Sequence, residues 1–139
     1  MRPPSNPADR RRFRTARSPV SLRVLVVDDN RDAADSLGLL LELNGAAVRV
    51  AYGGADALRE AETFRPHVGL FDIHMPGMSG LELARAMRER ADGGPLLLIA
   101  VTGVSDEDAV ERTAAAGFDR HLTKPADPAE LDRAAWAFL

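Results

Sequence analysis

The sequence predicts an α/β fold: a doubly wound, five-stranded parallel sheet in the strand order 2-1-3-4-5, with five helices covering its two faces. The first observation is an alternation, repeated five times after residue 21, of short apolar runs with longer segments of helical periodicity. The second is a gradient of polarity among the five runs. The first, third and fourth are almost wholly apolar, as central strands are, whereas the second and fifth are more polar, as edge strands are.

The five apolar runs have the length and composition of strands. They lie at residues 24–27, 48–50, 68–71, 96–101 and 120–123. The fourth run is the longest, so it is predicted to be the most deeply buried strand.

Each predicted strand is followed by a segment with helix signals. In the first such segment Ala33, Leu37, Leu40 and Leu41 recur at helical spacing, which predicts an inward-facing apolar stripe. This helix is predicted to end near Asn44, which precedes a glycine. A second helix is predicted over residues 54–64.

Capping residues indicate where the other three helices begin. Ser79 and Glu82 have the spacing of a capping box and begin the third helix. Residues 105–108 cap a fourth helix, which is predicted to end at Gly117. Asp127 is the predicted N-cap of the last helix, which is expected to continue to the end of the chain.

The 139 residues are enough for one domain, and their charges are unevenly distributed. Residues 1–21 carry six arginines, four prolines and one aspartate, a composition typical of a disordered basic arm or linker. Residues 22–139, the predicted domain, carry 12 basic and 20 acidic side chains, so this body is not expected to bind nucleic acid. There is no cysteine, signal peptide or apolar run of membrane-spanning length, so a cytoplasmic protein without a membrane partner is expected.

The chemically distinctive side chains follow four predicted strands. Asp28 and Asp29 follow the first strand, Asp72 the third, Thr102 the fourth, and Lys124, the only lysine of the chain, the fifth. Ligands of open parallel sheets bind outside the carboxyl ends of the strands, where the winding reverses. With the predicted strand order, these five side chains are therefore expected to meet at one edge of the sheet.

Three carboxylates at one edge require a counter-charge. Two carboxylates about 4 Å apart repel each other by roughly 4 kcal/mol at an effective dielectric constant of about 20. Mg²⁺, or Mn²⁺ in its place, binds carboxylate oxygens and keeps positions for water and phosphate oxygens, so the cluster predicts such an ion. Together with an ammonium and a hydroxyl, this set is typical of phosphoryl transfer, with Asp72 as the nucleophile that forms an acyl phosphate. The structural alternatives are that Asp28 and Asp29 cap the first helix and that Asp72 is a turn residue.

Four motifs, in this order, resemble those of response-regulator receiver domains, the CheY-like group of two-component phosphorelay signalling. They are residues 26–30, 72–80, 102–103 and 124–125. The resemblance covers residues 22–139. It implies a flavodoxin-like fold and a phosphoacceptor that assists its own phosphorylation and dephosphorylation, rather than an enzyme.

The resemblance also implies the roles of the acidic residues. Asp72 would accept a phosphoryl group from a phosphohistidine on a histidine kinase or a histidine phosphotransfer protein. Asp29 would bind Mg²⁺ directly, Asp28 would bind it largely through water, and Asp72 and the backbone carbonyl of His74 would complete the protein ligands.

The remaining roles concern the last two strand ends. Lys124 would pair with Asp72 or with the phosphoryl oxygens, Thr102 would move to bond the phosphoryl group, and the peptide bond before Pro125 would be cis. His121 departs from the family pattern, because receivers usually have Tyr or Phe three residues before the lysine, where the ring rotates with the threonine. His121 is therefore either an altered switch residue or a surface histidine on an edge strand.

Two functions of other classes are kept as alternatives. One is a phosphohydrolase with an acyl-phosphate intermediate, although His74 occupies the position where such enzymes usually have a second acid. The other is a DNA-binding regulator that uses the arm of residues 1–21. Because no residues follow the last predicted helix, the receiver is expected either to stand alone and act on a downstream protein target, or to come from a hybrid kinase.

Overall fold

The computed structural model describes residues 21–90, 95–103, 107–125 and 127–137. In these ranges strands and helices alternate. The strands are β1 (Arg23–Val27), β2 (Ala47–Ala51), β3 (Val68–Asp72), β4 (Leu97–Thr102) and β5 (Arg120–Thr123). The helices are α1 (Arg31–Leu43), α2 (Gly54–Phe64), α3 (Gly80–Arg90), α4 (Glu107–Ala116) and α5 (Pro128–Trp136).

The strands form one parallel sheet in the order β2-β1-β3-β4-β5, which confirms the predicted topology. Burial follows the polarity of the sequence. Every residue of β3 is buried, and β1 and β4 are buried except at their first residue. The strands β2 and β5 are largely half-buried or exposed, as expected of edges.

Successive residues of the central strands face two separate cores, because side chains alternate across a sheet. Leu25 and Phe71 pack in the core beneath α2, α3 and the end of α4. Val26 and Leu70 pack in the core beneath α1 and α5. Helices therefore cover both faces of the sheet, and the carboxyl ends of β1 and β3 are fixed between two packed layers.

The observed helix caps agree with most of the predicted ones. The Ser79 hydroxyl accepts a hydrogen bond from the backbone N–H of Glu82 at 3.2 Å, and Asp127 caps α5 by accepting from Ala129. The last helix ends at Trp136 and not at the chain terminus, so that prediction was wrong by one turn. The predicted cap residues 105 and 106 of the fourth helix lie outside the described residues.

The inward face of α1 agrees with the predicted stripe except at its start. Leu41 is buried and Leu37 packs against the core, whereas Ala33 is exposed and Ala34 is buried. Gly38 is also buried, and a Cβ atom added there would lie 2.9 Å from Val50 Cγ2, so α1 lies close to β2 at a residue without a side chain. The predicted stripe missed Gly38 because hydropathy does not count a glycine as an inward residue.

The basic arm was predicted over residues 1–21, and residues 1–20 lie outside the described part of the chain, so the arm stays a prediction. Among the described helices, none is both long enough and apolar enough to cross a membrane.

His67 joins the beginnings of the central strands. Its ring Nδ1 accepts a hydrogen bond from the backbone N–H of Arg23, and its own backbone N–H donates to the Arg23 carbonyl, both at 2.9 Å. Its carbonyl accepts from the backbone N–H of Leu97, also at 2.9 Å. Burial, and to a smaller extent the charge of Arg23, lower the pKa of His67 from its ordinary value of 6.5. Only the unprotonated Nδ1 can accept the bond from Arg23.

This bond predicts a pH-dependent loss of stability. The pKa of His67 is lower in the folded state than in the unfolded state. The hydrogen bond therefore contributes fully to stability at any pH above the unfolded-state pKa, and this contribution is lost as the pH falls through the folded-state pKa. His67→Asn keeps an oxygen acceptor and does not titrate. Between about pH 7.5 and pH 5, the free energy of unfolding of the wild-type protein is expected to fall by roughly 0.5–1.5 kcal/mol relative to that of this variant, because this is the net contribution of one hydrogen bond. Urea unfolding at each pH measures the difference, and a constant difference would contradict the assignment.

Candidate functional site

The carboxyl ends of β1 and β3 bring three carboxylates together. These strands are neighbours, and Val27 of β1 pairs with Phe71 of β3. The residues that follow this pair, Asp28 and Asp72, are therefore level with each other, and Asp29 lies beside them. Oxygen atoms of all three carboxylates lie within 4.8 Å of one another. The residues Asp28 and Asp72 are buried, and Asp29 is exposed, so the cluster opens to solvent on one side.

The acidic pair is not the cap of α1. Asn30 is the N-cap, and its side-chain oxygen accepts a hydrogen bond from the backbone N–H of Ala33 at 3.1 Å. One oxygen of Asp28 accepts from the backbone N–H of Asn30 at 3.0 Å, which fixes the carboxylate in the turn. The structural alternative for Asp28 and Asp29 is thereby excluded, and the other Asp28 oxygen is directed toward Lys124.

Lys124 links the end of β5 to both buried carboxylates. Its Nζ lies 3.2 Å from Asp28 Oδ2 and 3.5 Å from Asp72 Oδ1. The peptide bond between Lys124 and Pro125 is cis, the isomer that the resemblance implies. One ammonium faces three carboxylates, so the cluster keeps a net negative charge when all four groups are ionised.

The surroundings of Asp72 disfavour its charge. Burial is the main cause that raises the pKa of Asp72, and the carboxylates of Asp28 and Asp29 raise it further. The ammonium of Lys124 and a hydrogen bond from the backbone N–H of His74, at 3.4 Å, act in the opposite direction. A hard divalent cation prefers oxygen ligands of this kind and would remove the excess negative charge. The acidic cluster thus fits a metal ion.

A sharp turn holds Asp72 at the end of its strand. The backbone N–H of Gly80 donates to the Ile73 carbonyl at 2.9 Å, so the loop of residues 74–79 closes directly behind the carboxylate. A Cβ atom added at Gly80 would lie 2.7 Å from Ile73 Cα and closer still to the Asp72 carbonyl oxygen. The His74 side chain is exposed in this loop, and the role of its carbonyl as a ligand stays a prediction.

Thr102 and His121 are in direct contact. Thr102, the last residue of β4, is 2% exposed, and its Oγ1 lies 2.7 Å from Nε2 of the half-buried His121. Thr102 pairs with Thr123 of β5, and His121 is two residues earlier on the same face of the sheet. The sequence singled out both residues but did not predict the bond between them. The strand register was the signal that would have placed them side by side.

The chain belongs to the response regulator receiver domain family, whose sequence model it matches over residues 24–135. Receiver domains are the phosphoacceptor parts of two-component systems, and phosphorylation of an aspartate is typical of them. The resemblance drawn from the four motifs is therefore confirmed.

Individual relatives agree with this family. The chain is 41% identical to an uncharacterized 14.6 kDa protein of Leptolyngbya boryana over 110 residues, which are 79% of this chain and 84% of that protein. It is 37% identical over 108 residues to the response regulator MprA of Mycobacterium tuberculosis. That match covers 76% of this chain but only 45% of MprA, so the chain spans less than half the length of that relative.

Solved structures show the same fold. The chemotaxis response regulator CheY4 of Vibrio cholerae superposes with a TM-score of 0.79 at 27% identity, over 86% of this chain and 100% of that one. A CheY-like receiver domain protein from Methanospirillum hungatei superposes with a TM-score of 0.76 at 30% identity, over 86% of this chain and 94% of that one. The fold is thus the flavodoxin-like fold of CheY, as predicted.

Proposed function

We propose that Asp72 accepts a phosphoryl group from a phosphohistidine on a histidine kinase or a histidine phosphotransfer protein. The observation that carries this proposal is the position of its carboxylate. It lies at the end of a buried central strand, 3.5 Å from the only lysine of the chain and next to two further carboxylates. The family and the open side of the cluster at Asp29 support the same reaction.

In this reaction an oxygen of Asp72 attacks the phosphorus atom and forms the P–O bond of an acyl phosphate. The P–N bond to the partner's imidazole breaks, and its electron pair stays on the leaving nitrogen. Because the other ring nitrogen carries a proton, the leaving group is neutral imidazole. Lys124 neutralises charge on the phosphoryl oxygens, and the Thr102 hydroxyl donates a hydrogen bond to one of them. Such a loose transition state requires positioning and charge neutralisation more than covalent help from the protein.

The acidic cluster also defines the metal site of the proposal. Asp28, Asp29 and Asp72, with the carbonyl of His74, would hold Mg²⁺ or Mn²⁺. When bound, the ion supplies positive charge next to the phosphoryl oxygens.

The phosphoryl group on Asp72 would act as a switch for a downstream protein target. Shifting the populations of two conformations from 1:99 to 99:1 requires about 5.5 kcal/mol of differential binding. A phosphorylated site can supply this free energy through a few new charge-assisted hydrogen bonds. The output differs between a free-standing receiver and a receiver within a hybrid kinase, and both remain compatible with the proposal. We assign the protein to the cytoplasm, where a phosphohistidine partner would meet it.

The test is phosphoryl transfer from a small donor. Wild-type protein, Asp72→Asn and Asp56→Asn are each incubated with acetyl phosphate and Mg²⁺, and the intact mass is followed. Asp56 is an exposed carboxylate in α2 and serves as the matched control. Wild type and Asp56→Asn are expected to gain one phosphoryl group that is lost slowly, and Asp72→Asn is expected to gain none.

Three results would contradict the proposal. They are the absence of a phosphoryl group on wild type, an equal gain by Asp72→Asn, and steady release of many phosphates per protein. The last result would identify the phosphohydrolase instead.

A further inference from the structure

We infer that His121 holds the Thr102 hydroxyl in the unphosphorylated protein and competes for it with a phosphoryl group on Asp72. The inference rests on the proposed function and adds a restraint to the same site. It makes His121 a positioning residue, because it acts through Thr102.

The geometry of the pair is that of a formed hydrogen bond. The distance of 2.7 Å between Thr102 Oγ1 and His121 Nε2 lies within the hydrogen-bond range. The two residues lie on neighbouring strands, β4 and β5, whose ladder fixes their spacing. His121 pairs across that ladder with Ala100, so His121 and Thr102 are diagonal neighbours on one face of the sheet. The bond is shielded, since Thr102 is buried and His121 half-buried.

Competition follows from the chemistry of the hydroxyl group. A threonine hydroxyl has a single hydrogen to donate, and a phosphoryl group offers only acceptor oxygens. When Nε2 of His121 accepts that hydrogen, the phosphoryl group can receive it only after the bond to the imidazole breaks. The imidazole and the phosphoryl group are therefore mutually exclusive acceptors of this hydrogen, which is the property of a two-state element.

The receiver resemblance implies Tyr or Phe at this position, and neither ring has a nitrogen acceptor. His121 thus gives this chain a restoring interaction that a phenylalanine ring would lack. The bond between His121 and Thr102 therefore weakens the binding of the phosphoryl group, compared with a site in which the Thr102 hydroxyl had no such acceptor. A net hydrogen bond of this kind changes an equilibrium by about twofold to twelvefold.

The experiment measures the affinity for beryllium trifluoride, a phosphoryl mimic, in the presence of Mg²⁺. Four proteins form a cycle: wild type, His121→Phe, Thr102→Val and the double variant. His121→Phe is expected to bind the mimic about twofold to twelvefold more tightly than wild type. In the Thr102→Val background the same change is expected to have no effect, because the hydroxyl is absent. His121→Gln keeps a side-chain acceptor and is expected to restore most of the wild-type affinity.

Nitrogen NMR of the imidazole gives a readout that a purely structural role would not move. Without the mimic, Nε2 of His121 is expected to carry no proton and to shift in Thr102→Val. With the mimic, wild type is expected to show the same shift, since the hydroxyl has moved to its other acceptor. A protonated Nε2, or an equal effect of His121→Phe in both threonine backgrounds, would overturn the inference.

The two proposals fail in different ways. If wild type binds neither the mimic nor a phosphoryl group, the phosphoacceptor function is wrong, and the NMR of the unmodified protein still tests the bond. If wild type is phosphorylated on Asp72 and the cycle shows no coupling between His121 and Thr102, only the present inference is wrong.

Discussion

Replacing Gly80 with alanine is expected to destabilise the fold by about 3 kcal/mol or more, at the upper end of the range for overpacked sites. The added Cβ would meet the carbonyl oxygen of Asp72 and would lie 2.7 Å from Ile73 Cα. Both are backbone atoms at the end of a buried strand, so neither can move without displacing β3 or α3. The free energy of unfolding of a domain is about 5–15 kcal/mol, so a loss of this size removes a large part of it.

Urea unfolding measures this loss, and Gly103→Ala is the matched control. Gly103 also follows a strand at this edge of the sheet, but an added Cβ would have no atom within 4 Å. The control is expected to unfold close to the wild-type midpoint. The surviving folded fraction of Gly80→Ala is also expected to accept phosphoryl more slowly, because the clash displaces the carbonyl next to the Asp72 carboxylate. Equal midpoints for the two alanine variants would show that the turn is more open than the structure has it.

The second large effect is expected for Lys124→Gln, which should slow phosphoryl gain from a small donor by about 10²-fold or more. The ammonium lies 3.5 Å from Asp72 and 3.2 Å from Asp28 and is the one cation of the described residues bonded to this cluster. Its removal leaves developing phosphoryl charge without a partner. It also raises the pKa of Asp72 further, because the charge of Lys124 now opposes the effect of burial.

Lys124→Arg is the control for charge alone. A guanidinium keeps the charge but is a planar fork with different reach, so it is expected to restore the rate only in part. The rates come from intact mass at several times after donor addition, with urea unfolding as the check on folding. A rate for Lys124→Gln within about threefold of wild type, well under the 10²-fold expected of a lost charge partner, would exclude Lys124 from the transfer step.

The sequence was sufficient to predict the sheet order, and the reason is physical. Strands buried on both faces must be apolar throughout, so the contrast between β3 and the polar β5 reveals which strands are central. Parallel strands then bring their carboxyl ends to one edge, and this places Asp28, Asp72 and Lys124 together before any distance is known.

The parts that the sequence did not predict depend on side-chain placement. The predicted inward stripe of α1 included the exposed Ala33 and missed the buried Gly38, because hydropathy does not count a glycine as an inward residue. The bond between Thr102 and His121 was missed because motif comparison treats each position separately. Only the register of β4 and β5 shows that these two residues are neighbours.

The ion pairs of Lys124 also have a consequence for the order in which the protein is made. Asp28 and Lys124 are 96 positions apart. During synthesis β1, α1, β2, α2 and β3 can pack while the lysine is still inside the ribosome. The end of the last strand therefore completes the sheet and brings the ammonium of Lys124 to the acidic cluster in one step.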